Sequence, residues 1–328
     1  MHLKDVLIME VPAGALKEII KKKNINAKIN SIEEMATAIN DYDDGIANEL
    51  ADEFKFAGRT SLNFNIMMNS IPDTWKDKQY FKQKLVEKYG DTILSQGTRP
   101  ELNKIPKLIK VYEKHEKLIL AFSFLGSPKR YLENFEIVSR CPQMVEYVII
   151  HFSPFAVEVR AKAEQNKLFC NAVLDIMDIP KEKVVWDKIT KLTEEQANRL
   201  ARKIGARLRS AKHKMLEGVY ATKEVTAHTQ IQDLQSTKQY QEEFGEQPMK
   251  RKTLVFKYEY SFGYEDNISY VITDEGLLIR SKVGEEAISH LLKEILKIRF
   301  PVGVDNIDEP VENRKMTLPV EEQLEILL

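Results

Sequence analysis

A short strand-to-helix junction occurs twice in this chain, and it constrains the fold more than any other feature of the sequence. The two copies read Val159-Arg160-Ala161-Lys162 and Ile279-Arg280-Ser281-Lys282. Each copy follows a segment of strand-like alternation and precedes a segment with apolar residues at helical spacing. Two such strand–strand–helix units predict an internal duplication within an α+β protein.

The hydropathy pattern predicts two domains of different character. Residues 1–90 read as a helical N-terminal domain, and residues 91–116 read as a linker. Residues 117–300 then alternate between strand and helix periods, which predicts a pseudo-repeated antiparallel sheet-and-helix domain. The remaining residues, 301–328, form a predicted acidic C-terminal tail.

Composition limits the setting in which such a chain works. The net charge of −1 gives no overall attraction to nucleic acid or membrane, so any such contact must come from local charge segregation. Cys141 and Cys170 are too few for a disulfide framework or a structural zinc site. The sequence shows neither a secretory signal nor a stretch apolar enough to span a bilayer, which predicts a cytoplasmic protein. The bias toward Lys, Ile and Asn suggests a prokaryotic source.

Charge is segregated most strongly in one segment. Thr193-Glu194-Glu195-Gln196 is a capping box, and the apolar spacing after it predicts a helix over 193–216. No acidic residue lies between Gln196 and Leu216. The cations of this segment are Arg199, Arg202, Lys203, Arg207, Arg209, Lys212 and Lys214. A continuous positive surface suits a phosphate backbone, with DNA favoured over RNA. The alternative is a solvated face, or docking onto an acidic patch that includes Asp41 and Glu49.

The two junctions add candidate anion sites. A helix N-terminus offers free backbone N–H groups, and the cations beside it would complement a phosphate or carboxylate. The residues concerned are Arg160, Lys162, Arg280 and Lys282. Local ion pairs with neighbours such as Glu158 and Glu285 are the alternative.

A predicted hairpin turn supplies further candidates. The turn Gly126-Ser127-Pro128-Lys129-Arg130 places Lys129 and Arg130 at a hairpin tip that could reach a groove. Tyr131, Tyr258 and Tyr260 could stack on bases if they lie on an exposed sheet face, or could pack within the sheet instead.

Two stretches resemble known families. The spacing of Leu16, Ile20, Ile25, Met35 and Ile39 is similar to that of SAP-type helix–extended-loop–helix modules, which bind DNA. Lys28 and Asn30 stand where those modules often carry a glycine, and a plain helical hairpin is the alternative.

The order of segments along the whole chain resembles centromere protein N and its relatives. That order begins with a small helical domain opened by Ile8-Met9-Glu10-Val11-Pro12 and ends with a strand–strand–helix unit closed by Leu291-Leu292-Lys293-Glu294-Ile295-Leu296. The resemblance implies binding to nucleosomes and partner subunits through basic surfaces.

The sequence carries no recognisable catalytic or cofactor motif, so it favours a binding role over an enzyme. The six histidines are scattered, and neither a P-loop nor a dinucleotide or nucleophile-elbow motif is present. One alternative is a divalent-metal nuclease built on Glu158-Val159-Arg160, although Arg replaces the usual Lys there.

A second alternative is a subunit of a multi-protein assembly. The segment Leu318–Leu328 has apolar residues at helical spacing and could lie in a partner's groove. Residues 301–328 hold seven acidic and two basic residues, so the tail could instead fold over the basic segment. A chain ending at residue 300 would then bind DNA more tightly.

Overall fold

A computed structural model describes residues 2–58, 60–68, 72–153 and 155–301 of the chain. The predicted acidic tail, apart from Pro301, lies outside these ranges. The predicted partner segment Leu318–Leu328 also lies outside them.

The chain begins with four helices and then alternates between groups of strands and single helices. The helices are α1 (Leu3–Glu10), α2 (Ala13–Lys23), α3 (Ile32–Tyr42), α4 (Asp44–Phe54), α5 (Lys78–Tyr89), α6 (Asn166–Ile176), α7 (Glu194–Lys203), α8 (Lys238–Phe244) and α9 (Glu285–Arg299). The strands are β1 (Ser61–Met67), β2 (Lys107–Lys114), β3 (Lys117–Leu125), β4 (Lys129–Glu133), β5 (Glu136–Arg140), β6 (Gln143–Phe152), β7 (Phe155–Arg160), β8 (Trp186–Lys188), β9 (Arg207–Lys214), β10 (Thr222–Thr226), β11 (Met249–Glu259), β12 (Glu265–Thr273) and β13 (Gly276–Ile279).

The chain divides into two compact units. Lobe 1 combines residues 2–61 with residues 190–301, and lobe 2 consists of residues 62–189. The N-terminal helices therefore share a lobe with the second half of the chain.

Lobe 1 contains an antiparallel sheet in the order β10-β9-β11-β12-β13. Helices α1 to α4 pack among themselves, and α4 also contacts α9. The Phe54 ring of α4 lies 5.6 Å from the Tyr260 ring, which joins the helices to the end of β11. Buried apolar residues such as Leu7, Ile39 and Leu291 form the core on this side of the sheet.

The main strands of lobe 2 are antiparallel and lie in the order β1-β7-β6-β3-β2, and β8 also pairs with β1. Helices α5 and α6 pack on one face of these strands, where Phe81 and Phe169 meet Phe122 and Phe152. Residues of the other face are also buried, among them Phe64, Ile149 and Glu158. A sheet buried on both faces needs apolar residues in nearly every position, as β3 has, whereas β7 also buries Glu158 and Arg160.

The predicted α+β class, with helices at the N-terminus and antiparallel sheet-and-helix units after them, is confirmed. The segment 1–90 also contains a strand, β1, and the segment 91–116 contains β2. Strand β1 is hard to recognise because Asn63 and Asn65 are poor strand formers. Their side-chain amide nitrogens donate to the backbone carbonyls of Val159 and Val157, at 3.0 and 3.1 Å, which satisfies these donors inside the lobe.

Candidate nucleic-acid interface

The predicted basic helix over 193–216 is wrong in its second half. The capping box at Thr193 is present, and α7 begins as predicted, but the helix ends at Lys203. Gly205 has a φ of 63°, the left-handed conformation that ends helices readily at glycine. The chain then continues as β9, so Arg207, Arg209, Lys212 and Lys214 lie on a strand.

A bulge in β9 sets the direction of these cations. The pairing of β9 with β11 shifts register at Arg209, which makes it the extra residue of the bulge. Leu208 and Ala211 consequently share one face, where both are buried. The β9 residues on the opposite face are Arg207, Ser210, Lys212 and Lys214.

The lobe 1 sheet therefore has an inner face and an open face. The inner face carries Leu208, Leu254, Phe256 and Tyr270, all buried. Helices α8 and α9 contact it, as the ring pairs His213–Phe244 and Tyr258–His290 show. The open face is defined by Arg207, Ser210, Lys212, Lys214, Glu224, Arg251, Thr253, Val255, Ser269, Val271, Leu278 and Arg280. Val271, in the middle of this face, is buried, and Glu224 is directly paired with Lys212.

Strand register arranges the open face in three rows. Lys212 and Arg251 are directly paired in the first row. The middle row, Ser210, Thr253, Val271 and Leu278, carries no charge. In the third row Arg207 pairs with Val255 and Val255 with Ser269, while the Arg280 N–H donates to the Ser269 carbonyl at 2.8 Å. Three strand spacings separate Arg207 from Arg280, about 14 Å.

The charges on and beside this face differ in how they are paired. Arg251 forms an ion pair with Glu224 of β10, and Lys257 lies 2.6 Å from Glu265. Lys212, Lys214 and Arg280 have no ion pair within the described part of the chain. Arg207 donates to the Gln232 side chain at 2.7 Å, which orders it without neutralising its charge.

Arg251 was missed by sequence reasoning. It lies in Met249-Lys250-Arg251-Lys252-Thr253, where several consecutive cations hide the strand period. The signal was present in the alternation of Leu254, Phe256 and Tyr258 further along β11. Extending that period back places Lys252 inside and Arg251 outside, as the structure has them.

The cations of α7 lie on the other side of the sheet. Buried Lys252 of the inner face donates to Asn198 of α7 at 2.6 Å, which fixes the helix against that face. Burial lowers the pKa of Lys252. Lys203 lies 3.5 Å from Glu294 of α9, whereas Arg199 and Arg202 have no ion pair in the described residues. The predicted continuous positive surface is thus split between two faces.

The remaining β9 cation, Arg209, is held by a loop. Its guanidinium donates to the carbonyls of Ile231 and Gln232, the latter at 3.1 Å. This contact stabilises the bulge and turns the Arg209 side chain toward the loop.

The lobe 2 junction is not an anion site at Arg160, contrary to prediction. Arg160 is 3% exposed, and its Nε donates to the Glu158 carboxylate at 2.7 Å. His151 Nε2 lies 3.0 Å from the other Glu158 oxygen. Burial alone would raise the pKa of Glu158, but the Arg160 guanidinium and His151 hold it well below its ordinary value. Burial lowers the pKa of His151.

This buried triad also bears on the nuclease hypothesis. Glu158 is 1% exposed and both of its oxygens have partners, so it is not available to a metal ion in this conformation. Among the residues that the structure describes, no group of three or more His, Cys, Asp or Glu could hold a metal.

Lys162, the other cation of this junction, is exposed ahead of the short turn Ala163–Gln165 that precedes α6. Burial raises the pKa of the nearby Glu146 to about 7, and Lys162 lowers it in part. Lys162 is therefore accessible, but it belongs to lobe 2 and is not part of the open face of lobe 1.

The lobe 1 junction does not offer free N–H groups at the start of α9, contrary to prediction. The Gly284 N–H donates to the Tyr260 hydroxyl at 3.0 Å, and the Glu286 N–H donates to a Glu53 carboxylate oxygen at 2.8 Å. The protein's own carboxylate thus occupies the position proposed for a bound anion. Lys282 donates to the carbonyl of Met9 near the end of α1, a structural contact.

The predicted hairpin tip and two of the three predicted stacking tyrosines also need correction. Lys129 and Arg130 begin β4, and Lys129 lies opposite Arg140 at the base of the hairpin. Tyr258 and Tyr260 lie on the inner face beneath α9. No aromatic ring is among the residues that define the open face.

Comparison with known proteins gives no family: no model of a protein family matches the chain, and a search of curated proteins finds no significant match. Within the described ranges, no helix is both long and apolar enough to cross a membrane. Function is therefore inferred from the geometry of the open face.

Proposed function

We propose that this protein binds double-stranded DNA through the open face of lobe 1. The observation that carries the proposal is the placement of Arg207, Lys212, Arg251 and Arg280 in two rows on one solvent-facing sheet surface. Side chains that are uncharged and small or aliphatic lie between the rows, so phosphates can approach both.

The dimensions and composition of the face favour a duplex over a single strand. The spacing of about 14 Å between Arg207 and Arg280 is comparable to the roughly 12 Å width of a DNA major groove. Proteins that hold single strands rely on exposed aromatic rings for stacking, and the open face residues include none. Phosphate contact without base stacking predicts affinity with little sequence preference.

We extend the proposal to the protein's relatives and its location in the cell. A phosphate-binding surface agrees with the resemblance to centromere protein N-like proteins, whose relatives use basic surfaces. We propose that the protein is prokaryotic, works in the cytoplasm and binds DNA without catalysing a reaction.

The test compares two variants that remove equal charge from opposite sides of the sheet. Lys212→Ala/Arg280→Ala alters the open face, and Arg199→Ala/Arg202→Ala alters α7. Fluorescence anisotropy with a labelled duplex is expected to show about tenfold weaker binding for the first variant and unchanged binding for the second. Labelled single-stranded DNA and RNA should bind more weakly than the duplex.

Absence of duplex binding at low salt would overturn the proposal. An equal loss in both variants would overturn the assignment to the open face, because the contact would then depend on overall charge.

A further inference from the structure

The hairpin formed by β4 and β5 is the most exposed apolar feature of lobe 2. It continues from the paired strands β3 and β6, where the Gly126 N–H donates to the Pro142 carbonyl at 2.9 Å. Beyond this point β4 pairs only with β5 in the described sheets. The ten residues from Gly126 to the tip give it a reach of roughly 30 Å.

The tip of this hairpin presents apolar side chains to solvent. Asn134 and Phe135 form a two-residue turn with φ values of 48° and 67°. Phe135 is 97% exposed, and the directly paired Leu132 and Ile137 are 72% and 74% exposed. An isolated two-stranded hairpin is at best marginally stable in water. Exposed apolar residues on such an arm are typical of a surface that binds another macromolecule.

Charge at the tip indicates which kind of surface it fits. Glu133 and Glu136 lie directly opposite each other next to the turn. Like charges in this position repel each other, and they also repel phosphate. Arg140 neutralises part of this charge through an ion pair with Glu133 at 2.7 Å, while Glu136 has no ion pair within the described residues. The tip therefore suits a surface that is partly apolar and carries cations.

The open face of lobe 1 has this composition. Leu278 is 38% exposed and Val255 is partly exposed, while Lys212 and Arg280 flank them without ion pairs in the described chain. We propose that the hairpin tip of one copy of this protein docks on the open face of a second copy. The contact joins two molecules, because the tip side chains are exposed within one copy.

Such a contact has defined consequences for assembly. Hairpin and open face are different surfaces, so the interaction is head-to-tail and produces rings or open chains rather than a two-fold dimer. The hairpin tip offers less area than a standard interface, so association should be weak and dependent on concentration. DNA and the hairpin would compete for the open face, although self-association does not require DNA to bind.

The test is sedimentation velocity of the full chain over a range of concentrations. The wild type is expected to sediment faster as concentration rises, and Phe135→Ser should remain a monomer. Val219→Ser is the matched control, since Val219 is 91% exposed but lies outside the hairpin, and it should associate like the wild type.

A charge exchange makes the test specific to the two surfaces. Glu133→Lys/Glu136→Lys and Lys212→Glu/Arg280→Glu should each lose self-association, and an equimolar mixture of the two should recover a complex. A wild type that stays monomeric at every concentration overturns the proposal. Failure of the mixture to associate also overturns it, as does self-association of Phe135→Ser equal to that of the wild type. Duplex affinity is measured separately, so failure here leaves the DNA proposal intact.

Discussion

The two strand-to-helix junctions share a sequence pattern but have opposite environments. In lobe 2, Arg160 is buried beside Glu158 and His151, on a sheet face that is itself covered. In lobe 1, Arg280 follows the end of β13 and is exposed on the open face. Both copies of the motif lie between a strand and a helix, but the role of each arginine depends on whether its sheet face is buried.

The largest difference between the junctions should appear in stability. Glu158→Ala leaves Arg160 buried without its carboxylate, and we expect it to lower the free energy of unfolding by about 3–5 kcal/mol. Arg280→Ala removes an exposed charge and should change that free energy by less than about 0.5 kcal/mol. Far-UV circular dichroism during urea unfolding reports on both lobes, and fluorescence of Trp75 and Trp186, both in lobe 2, reports on the lobe that Glu158→Ala affects.

Equal stability of the two variants would contradict the contrast between the junctions. The result would mean that Arg160 reaches water, and that the buried triad does not persist in solution.

A smaller effect on stability should appear at the start of α9, which follows the lobe 1 junction. A methyl group added at Gly284 would lie 2.8 Å from Glu53 Cδ, so Gly284→Ala should displace the carboxylate that accepts from the Glu286 N–H. The loss of a helix cap predicts destabilisation of about 1 kcal/mol. In a double-mutant cycle, Gly284→Ala should cost almost nothing once Glu53→Ala is present. Additive effects would show that Gly284 and Glu53 act independently.

The smallest effect concerns pH and the lobe 2 junction alone. Burial raises the pKa of Glu146 to about 7, above its value of 4.5 in the unfolded chain. Between those two pH values the unfolded chain loses its proton first, so this group makes the folded state less stable as pH rises. Glu146→Gln cannot ionise and so does not become less stable in this way as pH rises. By pH 7 the variant should be more stable than the wild type by an amount on the order of 1 kcal/mol.

Thermal unfolding at pH 5 and at pH 8 measures this difference. The exposed neighbour Glu164→Gln is the matched control. A stability difference between Glu146→Gln and the wild type that does not grow with pH would contradict the raised pKa.

Local sequence signals predicted those parts of the fold that depend on local physics. The capping box at Thr193 begins α7 where propensity and periodicity place a helix start. Such features need only neighbouring residues, so the fold class could be read without knowledge of tertiary contacts.

The segment after α7 could not be read in this way. Leu200, Ile204 and Leu208 continue a helical spacing, yet alternation from Arg207 onward also fits a strand. Pairing with β11, more than thirty residues away, decides between the two periods. The glycine at 205 was the one local signal that the helix ends.

The candidate site depended still more on distant contacts. Nothing near Arg160 or Arg280 in the sequence shows which sheet face is covered, because the two faces of a strand differ only in the elements that pack on them. The sequence showed that cations were concentrated in one segment, but the division of that segment between α7 and the open face required the strand register.

The salt dependence of duplex binding tests the central claim most directly. Each phosphate contact contributes about 0.9 to the slope of log affinity against log salt concentration. Lys212→Ala/Arg280→Ala should therefore make the slope shallower by about 1.8, whereas Arg199→Ala/Arg202→Ala should leave the wild-type slope unchanged. An unchanged slope in the open face variant, or a reduced slope in the α7 variant, would contradict the account.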